Sequence, residues 1–248
     1  MTETLQTLIE SLRHPDKNVR GKAAVSIGNL GDVEGLKVLL QTFGVETDLY
    51  VREDITWALV RVGDAAVLPL IELLKDKNPL ARHHAAHTLG KIADARATEP
   101  LTKALEDEDA MVVAKAAFAL GQIGNTNAIP SLISLLGHEH REVQTAVNQV
   151  LDTFGEASIQ ALIQAMEQEK WQAREQAADI LALIGSKDAI PVLIEALKDI
   201  HWQVRFAAAT ALGAIGGSIA KQAIQQMEHD PDPRVNDLKL QILKRMRR

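Results

Sequence analysis

Cysteine is absent from all 248 residues, which excludes a disulfide framework, a thiol nucleophile and a thiolate metal site. Aromatic residues are scarce, 3% against 46% hydrophobic residues overall, so the packing has to be aliphatic and spread over many similar small elements. No apolar run approaches the roughly 20 residues of a membrane helix, and Met1 to Leu5 lack a basic region leading into an apolar one. A cytoplasmic chain with no membrane partner is the expectation. Nor is there an excess of positive charge: a formal net charge of −6 works against phosphate backbones, which need clustered Lys and Arg, so no nucleic-acid partner is expected.

What is present is an internal repeat. Equivalent positions fall at Arg20, Arg52, Arg82, Val113, Gln144, Arg174, Arg205 and Asn236, with successive differences of 32, 30, 31, 31, 30, 31 and 31. The residue before each is apolar (Val19, Val51, Ala81, Val112, Val143, Ala173, Val204, Val235). So is the residue seven after it (Ile27, Leu59, Leu89, Leu120, Leu151, Leu181, Leu212, Leu243). That spacing predicts a helix with one buried face. Between the anchors lie alanine pairs such as Ala85 and Ala86, or Ala116 and Ala117, which let a neighbouring helix come close.

Eleven residues after the Arg position stands Gly31, Gly63, Gly124, Gly155, Gly185 or Gly216, with Ala93 the exception, and a left-handed residue there ends the helix. Asp32, Asp64, Asp94, Asn125 or Ser186 follows and is expected to cap the next helix. That next helix is amphipathic too, and Pro69, Pro100, Pro130 and Pro191 are expected near its start. Each repeat is thus a helical hairpin. Residues 2 to 13 give the first helix, the last hairpin begins near Ser218, and the total is eight hairpins stacked into one domain over residues 1–248. Arg245, Arg247 and Arg248 suit a helix C-terminus.

The run VRFAAATALGAIG at 204 to 216, with Gly-Asp punctuation and AIPVLIEALKD at 189 to 199, resembles the HEAT repeats of the phycobilisome lyase type. The resemblance implies an all-α fold, an α-α superhelix of the HEAT/armadillo-like solenoid kind, with the second helices lining its concave side. It also implies that Arg20, Arg52, Arg82, Arg174 and Arg205 are structural and pair with Asp residues of the turns. Val113, Gln144 and Asn236 depart from that pattern.

On each second helix, three positions lie opposite the buried face: three before the Arg position, one after it and five after it. Trp57, Phe118, Trp171, Trp202 and Phe206 fall on this stripe, which reads either as a binding surface or as packing between repeats. Stacking of the repeats sets Trp57, His87 and Phe118 side by side. Glu53, Asp54, Arg61, His83, His84, His87 and Lys115 are the polar lining expected beside the aromatics.

His83 and His87 are four apart on one helical face, a spacing that can hold a metal. The run RHHAAHTLG at 82 to 90 also resembles the His-Glu repeats of deoxyhypusine hydroxylase, a di-iron enzyme. The equivalent pairs elsewhere in the chain, from Gly21-Lys22 and Glu53-Asp54 to Phe206-Ala207 and Asp237-Leu238, include no His-Glu. No metal and no catalytic residue is therefore expected. The groove of HEAT-like DNA glycosylases is a third comparison, but here Lys22, Arg61, Lys91 and Lys115 are mixed with Glu53, Asp54, Glu175, Asp179 and Asp237.

These readings point first to a protein-binding scaffold or adaptor that uses the concave groove, either a monomer or one member of a hetero-complex. The alternative implied by the resemblance is a phycobilin lyase subunit or a phycobilisome chromophore-detaching factor, with a phycobiliprotein as partner and a transiently bound bilin in place of a resident cofactor. If the chain is an enzyme, lyase-like chemistry is the form expected, and a His-dependent metal hydroxylase is the remote alternative.

Overall fold

The chain forms sixteen α-helices among the residues described, 4–245, in the computed structural model. Among them there is no strand, and no helix is long and apolar enough to cross a membrane. Met1 to Glu3, Arg247 and Arg248 lie outside the described residues. By backbone proximity the chain falls into two compact units, Met1–Asn125 and Thr126–Arg248.

The first unit holds α1 (Leu5–Ser11), α2 (Lys17–Leu30), α3 (Val33–Phe43), α4 (Leu49–Val62), α5 (Asp64–Leu73), α6 (Pro79–Ile92), α7 (Thr98–Lys103) and α8 (Ala110–Ile123). The second holds α9 (Ile129–Ile133), α10 (Arg141–Phe154), α11 (Glu156–Ala165), α12 (Trp171–Ile184), α13 (Ile190–Ala196), α14 (Trp202–Ile215), α15 (Gly217–Gln226) and α16 (Pro233–Arg245). These pair as the eight α-hairpins that the repeat spacing predicts, and the fold is the α-α superhelix that the resemblance implies.

The second helices of the hairpins are the regular ones. Asp16, Asp48, Asn78 and Asp109 each accept a backbone N–H of the first turn of α2, α4, α6 and α8, as an N-cap should. The helices stop in the left-handed region at Gly31, Gly124 and Gly185, and at Ala93 with φ 58°. The first helices are less regular than expected. Asp32 caps α3 and Ser186 caps a 3₁₀ turn, but Asp64 is the first residue of α5, and Pro69 sits inside that helix instead of at its start. Pro130 and Pro191 do stand at the second position of α9 and α13.

The core is built from the anchors and alanines of the second helices. Val51, Leu59, Leu89, Val112, Leu120, Val143, Leu151, Val204 and Leu212 are buried, as are Ala85, Ala86, Ala116, Ala117, Ala177 and Ala178. Glycine sets how closely neighbours approach. A Cβ on Gly28 would lie 2.6 Å from Ala58 Cα, and one on Gly90 would lie 2.8 Å from Ala119 Cα, so α2 meets α4 and α6 meets α8 backbone to backbone. In α4 the equivalent place is Val60, and α4 approaches α6 less closely.

The repeated arginines are clamps. Arg82 donates from Nε and Nη2 to the two carboxylate oxygens of Asp107 at 2.7 Å each, and from Nη1 to the carbonyls of Asp76 and Lys77 at 2.9 and 3.3 Å. Arg174 with Asp199 and Arg205 with Asp230 repeat this geometry, and Arg20 makes it with Glu46. One half of each clamp ties the turn before its own helix; the other half reaches the turn of the next repeat. Gln144 and Asn236 keep only the first half, donating to the carbonyls of His138 and Asp230.

Arg52 is a correction to the ladder. Among the described residues it makes no side-chain hydrogen bond or ion pair, and its buried Nε has no partner. Asp76, at the place where the other acids stand, is exposed and accepts only the Asn78 N–H.

Candidate functional site

In the first unit α4, α6 and α8 carry nine of the residues singled out from the sequence, five on the stripe and four beside it, and their side chains divide into rim, floor and core. Glu53 on α4 holds the rim. Its carboxylate accepts from Lys91 Nζ at 3.1 Å and lies 3.8 Å from His87 Nε2, bridging the α4–α6 gap. Lys91 in turn sits 4.3 Å from the centroid of the Trp57 ring, which is 54% exposed. An ammonium over an indole face is held by the ring quadrupole, so Trp57, Lys91 and Glu53 order one another. Lys91 belongs to the site more firmly than the sequence reading gave it credit for. The signal was its place one turn beyond His87 on the same helical face.

His83 is half-buried with Nδ1 3.3 Å from the Met111 carbonyl, which fixes that nitrogen as the N–H donor of a neutral ring. Burial first, and Lys115 second, lower its pKa. The same two causes push His87 down to about 4, so it too is neutral at pH 7. Lys115 on α8 is half-buried with Nζ 5.9 Å from the centroid of Phe118; burial and the nearby Lys91 lower its pKa as well. Phe118 is half-buried and Arg61 exposed at the end of α4. Among the described residues the rings of Trp57, His87 and Phe118 do not stack on one another; Lys91 lies over Trp57, and Glu53 stands beside Lys91 and the neutral His87.

Two residues of the set leave the groove. His84 was expected among the polar lining, but it is a core residue. It is 8% exposed, its ring centroid lies 5.1 Å from that of Phe43, its Nε2 has no partner, and its pKa is pushed to about 3 by burial and then by His83. Asp54 points back into the α2–α4 contact, where its Oδ2 occupies the space a side chain at Gly21 would need; burial and Glu53 raise its pKa. No three His, Asp or Glu side chains among the described residues converge as a ligand set for a metal ion.

The remaining aromatics belong to the second unit and are packed between repeats there. Trp171 stacks on His201, with centroids 5.7 Å apart and planes at 17°. Trp202 meets Phe206 edge-on at 6.3 Å and is covered by the Arg234 guanidinium 3.4 Å from its centroid. All three rings are half-buried. His201 and Arg234 lie in the turn or first residues of the following hairpin, so each Trp is roofed by its neighbour. Gln176 on α12 does the same work for polar groups: its Oε1 accepts the Gly137 N–H at 2.7 Å and its Nε2 donates to the Gln144 carbonyl and to Asn148.

A family model for HEAT repeats matches residues 1–60, 46–117, 98–171 and 159–243. Over 87 residues the chain is 30% identical to the deoxyhypusine hydroxylase of Danio rerio, a match covering 34% of this chain and 28% of that protein. Among solved structures, the karyopherin Kap121p bound to the extreme C-terminus of the protein phosphatase Cdc14p aligns with a TM-score of 0.70 at 15% identity, over 99% of this chain and 34% of that one. The complex of CpcE and CpcF of phycocyanin lyase from Nostoc sp. PCC7120 aligns with a TM-score of 0.45 at 20% identity, over 99% and 96% of the two chains. The likeness to Kap121p speaks to fold alone, whereas the family model covers nearly the whole chain. The chain belongs to the HEAT-repeat family.

Proposed function

We propose that the chain is a protein-binding scaffold and that the second-helix face of its first unit is the contact surface. The observation that carries this reading is Trp57. It is an indole 54% exposed, held in place from one side by Lys91 and Glu53 and left uncovered, while the aromatics on the same helical face of the second unit, at other positions of the repeat, are roofed by their own neighbours. A large ordered ring presented to solvent is the kind of anchor that dominates the energy of protein interfaces. No catalytic residue is assigned: Glu53 and Lys91 are engaged with each other, and His83 and His87 are neutral at pH 7.

The test is affinity capture from extract of the native cell with the wild-type chain and with Trp57→Ala, using Leu183→Ala, an exposed residue of the second unit, as control. A partner retained by wild type and the control but lost with Trp57→Ala supports the surface; equal retention by all three removes it.

A second reading has a specific feature in its favour. Two aromatic and ammonium pairs, Trp57 with Lys91 and Phe118 with Lys115, would suit a flat tetrapyrrole bearing propionates. Titration with phycocyanobilin tests it: a sharpened, red-shifted band that disappears in Trp57→Ala supports bilin handling, and an unchanged spectrum sinks it.

A further inference from the structure

The two aromatic and ammonium pairs on the face of the first unit differ in one respect. Lys91 has both a ring and a counter-ion, since its Nζ lies over Trp57 and donates to Glu53 Oε1 at 3.1 Å. Lys115 has only the ring. Among the described residues no carboxylate oxygen lies within 4 Å of its ammonium and no hydrogen bond reaches it. A half-buried ammonium without a counter-ion costs free energy that a carboxylate would recover, because the local dielectric is lower than that of water.

The surroundings offer no acid of their own to fill that place. Glu53 favours the Lys115 ammonium only from beyond ion-pair distance, because its carboxylate is already paired with Lys91. Asp109, at the start of α8, is engaged in capping, accepting the Met111 and Val112 N–H groups at 2.8 and 3.2 Å. Asp107 is held through both its oxygens by the Nε–Nη2 edge of Arg82. His83 and His87 are the other polar side chains near Lys115, and both are neutral at pH 7, so they can line a pocket without neutralising it. The local sum of Glu53, Lys91 and Lys115 is one positive charge, on a chain whose formal net charge is −6.

We infer that this face docks an acidic segment of a protein partner, whose Asp or Glu carboxylate pairs with Lys115 as Glu53 pairs with Lys91, while an apolar neighbour of that residue lies on Trp57. This rests on the scaffold reading above. The overall charge of the chain repels an acidic partner at a distance, so recognition is short-range: the local ammonium selects the carboxylate only once the apolar contact has formed. Charge reversal at Lys115 is therefore a sharper probe than ionic strength, which screens attraction and repulsion together.

The experiment uses the full chain and a fluorescein-labelled peptide of glutamates interleaved with leucines, with the same peptide carrying lysine for glutamate as its counterpart, read by fluorescence anisotropy. Lys115→Met, which keeps the apolar stem and removes the charge, is expected to weaken the glutamate peptide by about tenfold or more. Lys115→Glu is expected to abolish that binding and admit the lysine peptide. A thermal melt of each variant guards against misfolding, and Lys198→Met, on an exposed lysine of the second unit, serves as the charge-loss control.

Absence of glutamate-peptide binding, or binding indifferent to Lys115→Met, overturns the inference. Competition by glutarate at the same concentrations as the peptide also overturns it, by assigning the place to a free small carboxylate. If the native partner is lost with Trp57→Ala yet retained by Lys115→Glu, the scaffold reading stands and the acidic-segment inference falls.

Discussion

Arg82 and Asp107 are joined edge to edge, Nε to Oδ2 and Nη2 to Oδ1 at 2.7 Å each, with both side chains only 9% exposed. Arg52 occupies the same place in the preceding repeat and binds nothing among the described residues. The contrast makes a direct comparison. Arg82→Met should cost about 3 kcal/mol or more, because it leaves a buried carboxylate without its counter-ion and frees the Asp76 and Lys77 carbonyls. Arg52→Met should cost less than about 1 kcal/mol, and removing the unpartnered Nε could even stabilise. Urea unfolding of the two variants checks this; equal losses would mean that the ladder arginines act through their apolar stems alone.

Acid should weaken the first unit before its carboxylates titrate. His84 is held near 3 and His87 near 4, both below the 6.5 of an unfolded histidine, with His83, Arg52, His87 and Lys115 repelling a proton on His84 and only Glu53 favouring one on His87. A depressed histidine pKa means that the folded state binds fewer protons than the unfolded one. The associated stability is therefore complete above pH 6.5 and is lost as pH falls from 6.5 towards 4 and then 3. The slope contributed by each ring approaches about 1.4 kcal/mol per pH unit within its window. His84→Leu, which also removes an unpartnered buried nitrogen, should flatten the melting temperature between pH 6.5 and 4 relative to wild type. A parallel pair of curves would show that folding does not depress the pKa of His84.

Trp57 and Trp202 should respond oppositely to truncation. Trp57→Ala removes an exposed ring and should leave the melting temperature nearly unchanged while weakening partner binding by about tenfold or more. Trp202 lies between Phe206 and the Arg234 guanidinium, so Trp202→Ala should cost about 2 kcal/mol or more through lost packing. Calorimetry alongside binding separates the two. Early melting of Trp57→Ala with binding intact would place that ring in the packing between repeats.

Gly90→Ala tests the close approach of α6 and α8. The added methyl would sit 2.8 Å from Ala119 Cα, a backbone atom that cannot rotate away, so the change should destabilise by about 1 to 3 kcal/mol despite the better helix propensity of alanine. A rise in stability would show that the two helices slide apart freely.

The fold was readable because a repeat states its own grammar many times over. Val112, Leu120 and their counterparts mark one face, glycine marks the stops, and small residues mark the contacts, and the buried residues of the second helices follow those marks. The site was readable only as a face. Spacing puts Glu53, Trp57, His83, His87 and Phe118 on one side of three helices; Lys115 is one residue off that stripe, in the register of Asp54 and His84, which turn inward. Spacing says nothing of how far a side chain leans. His84 is adjacent to His83 in sequence, yet it packs inward onto Phe43, and Trp171 and Trp202 lie on the same helical face as Trp57, at another position of the repeat, but are roofed by His201 and Arg234. Such outcomes depend on how closely a given pair of repeats approaches, which is a property of neighbours and not of the motif.

The half-clamps at Gln144 and Asn236, and the idle guanidinium at Arg52, show that holding a turn and joining two repeats are separable tasks. In a solenoid each hairpin contacts only its neighbours, so the carboxylate links decide which hairpins open together. Where the link is made, as between Arg82 and Asp107, α6 and α8 should behave as one cooperative block in amide exchange. Where it is missing, between α4 and α6, a boundary between blocks should fall, and the surface that carries Trp57 and Lys115 lies across that boundary. A partner that touches both sides would weld the two blocks, and its grip would register as slowed exchange in helices that it does not itself cover.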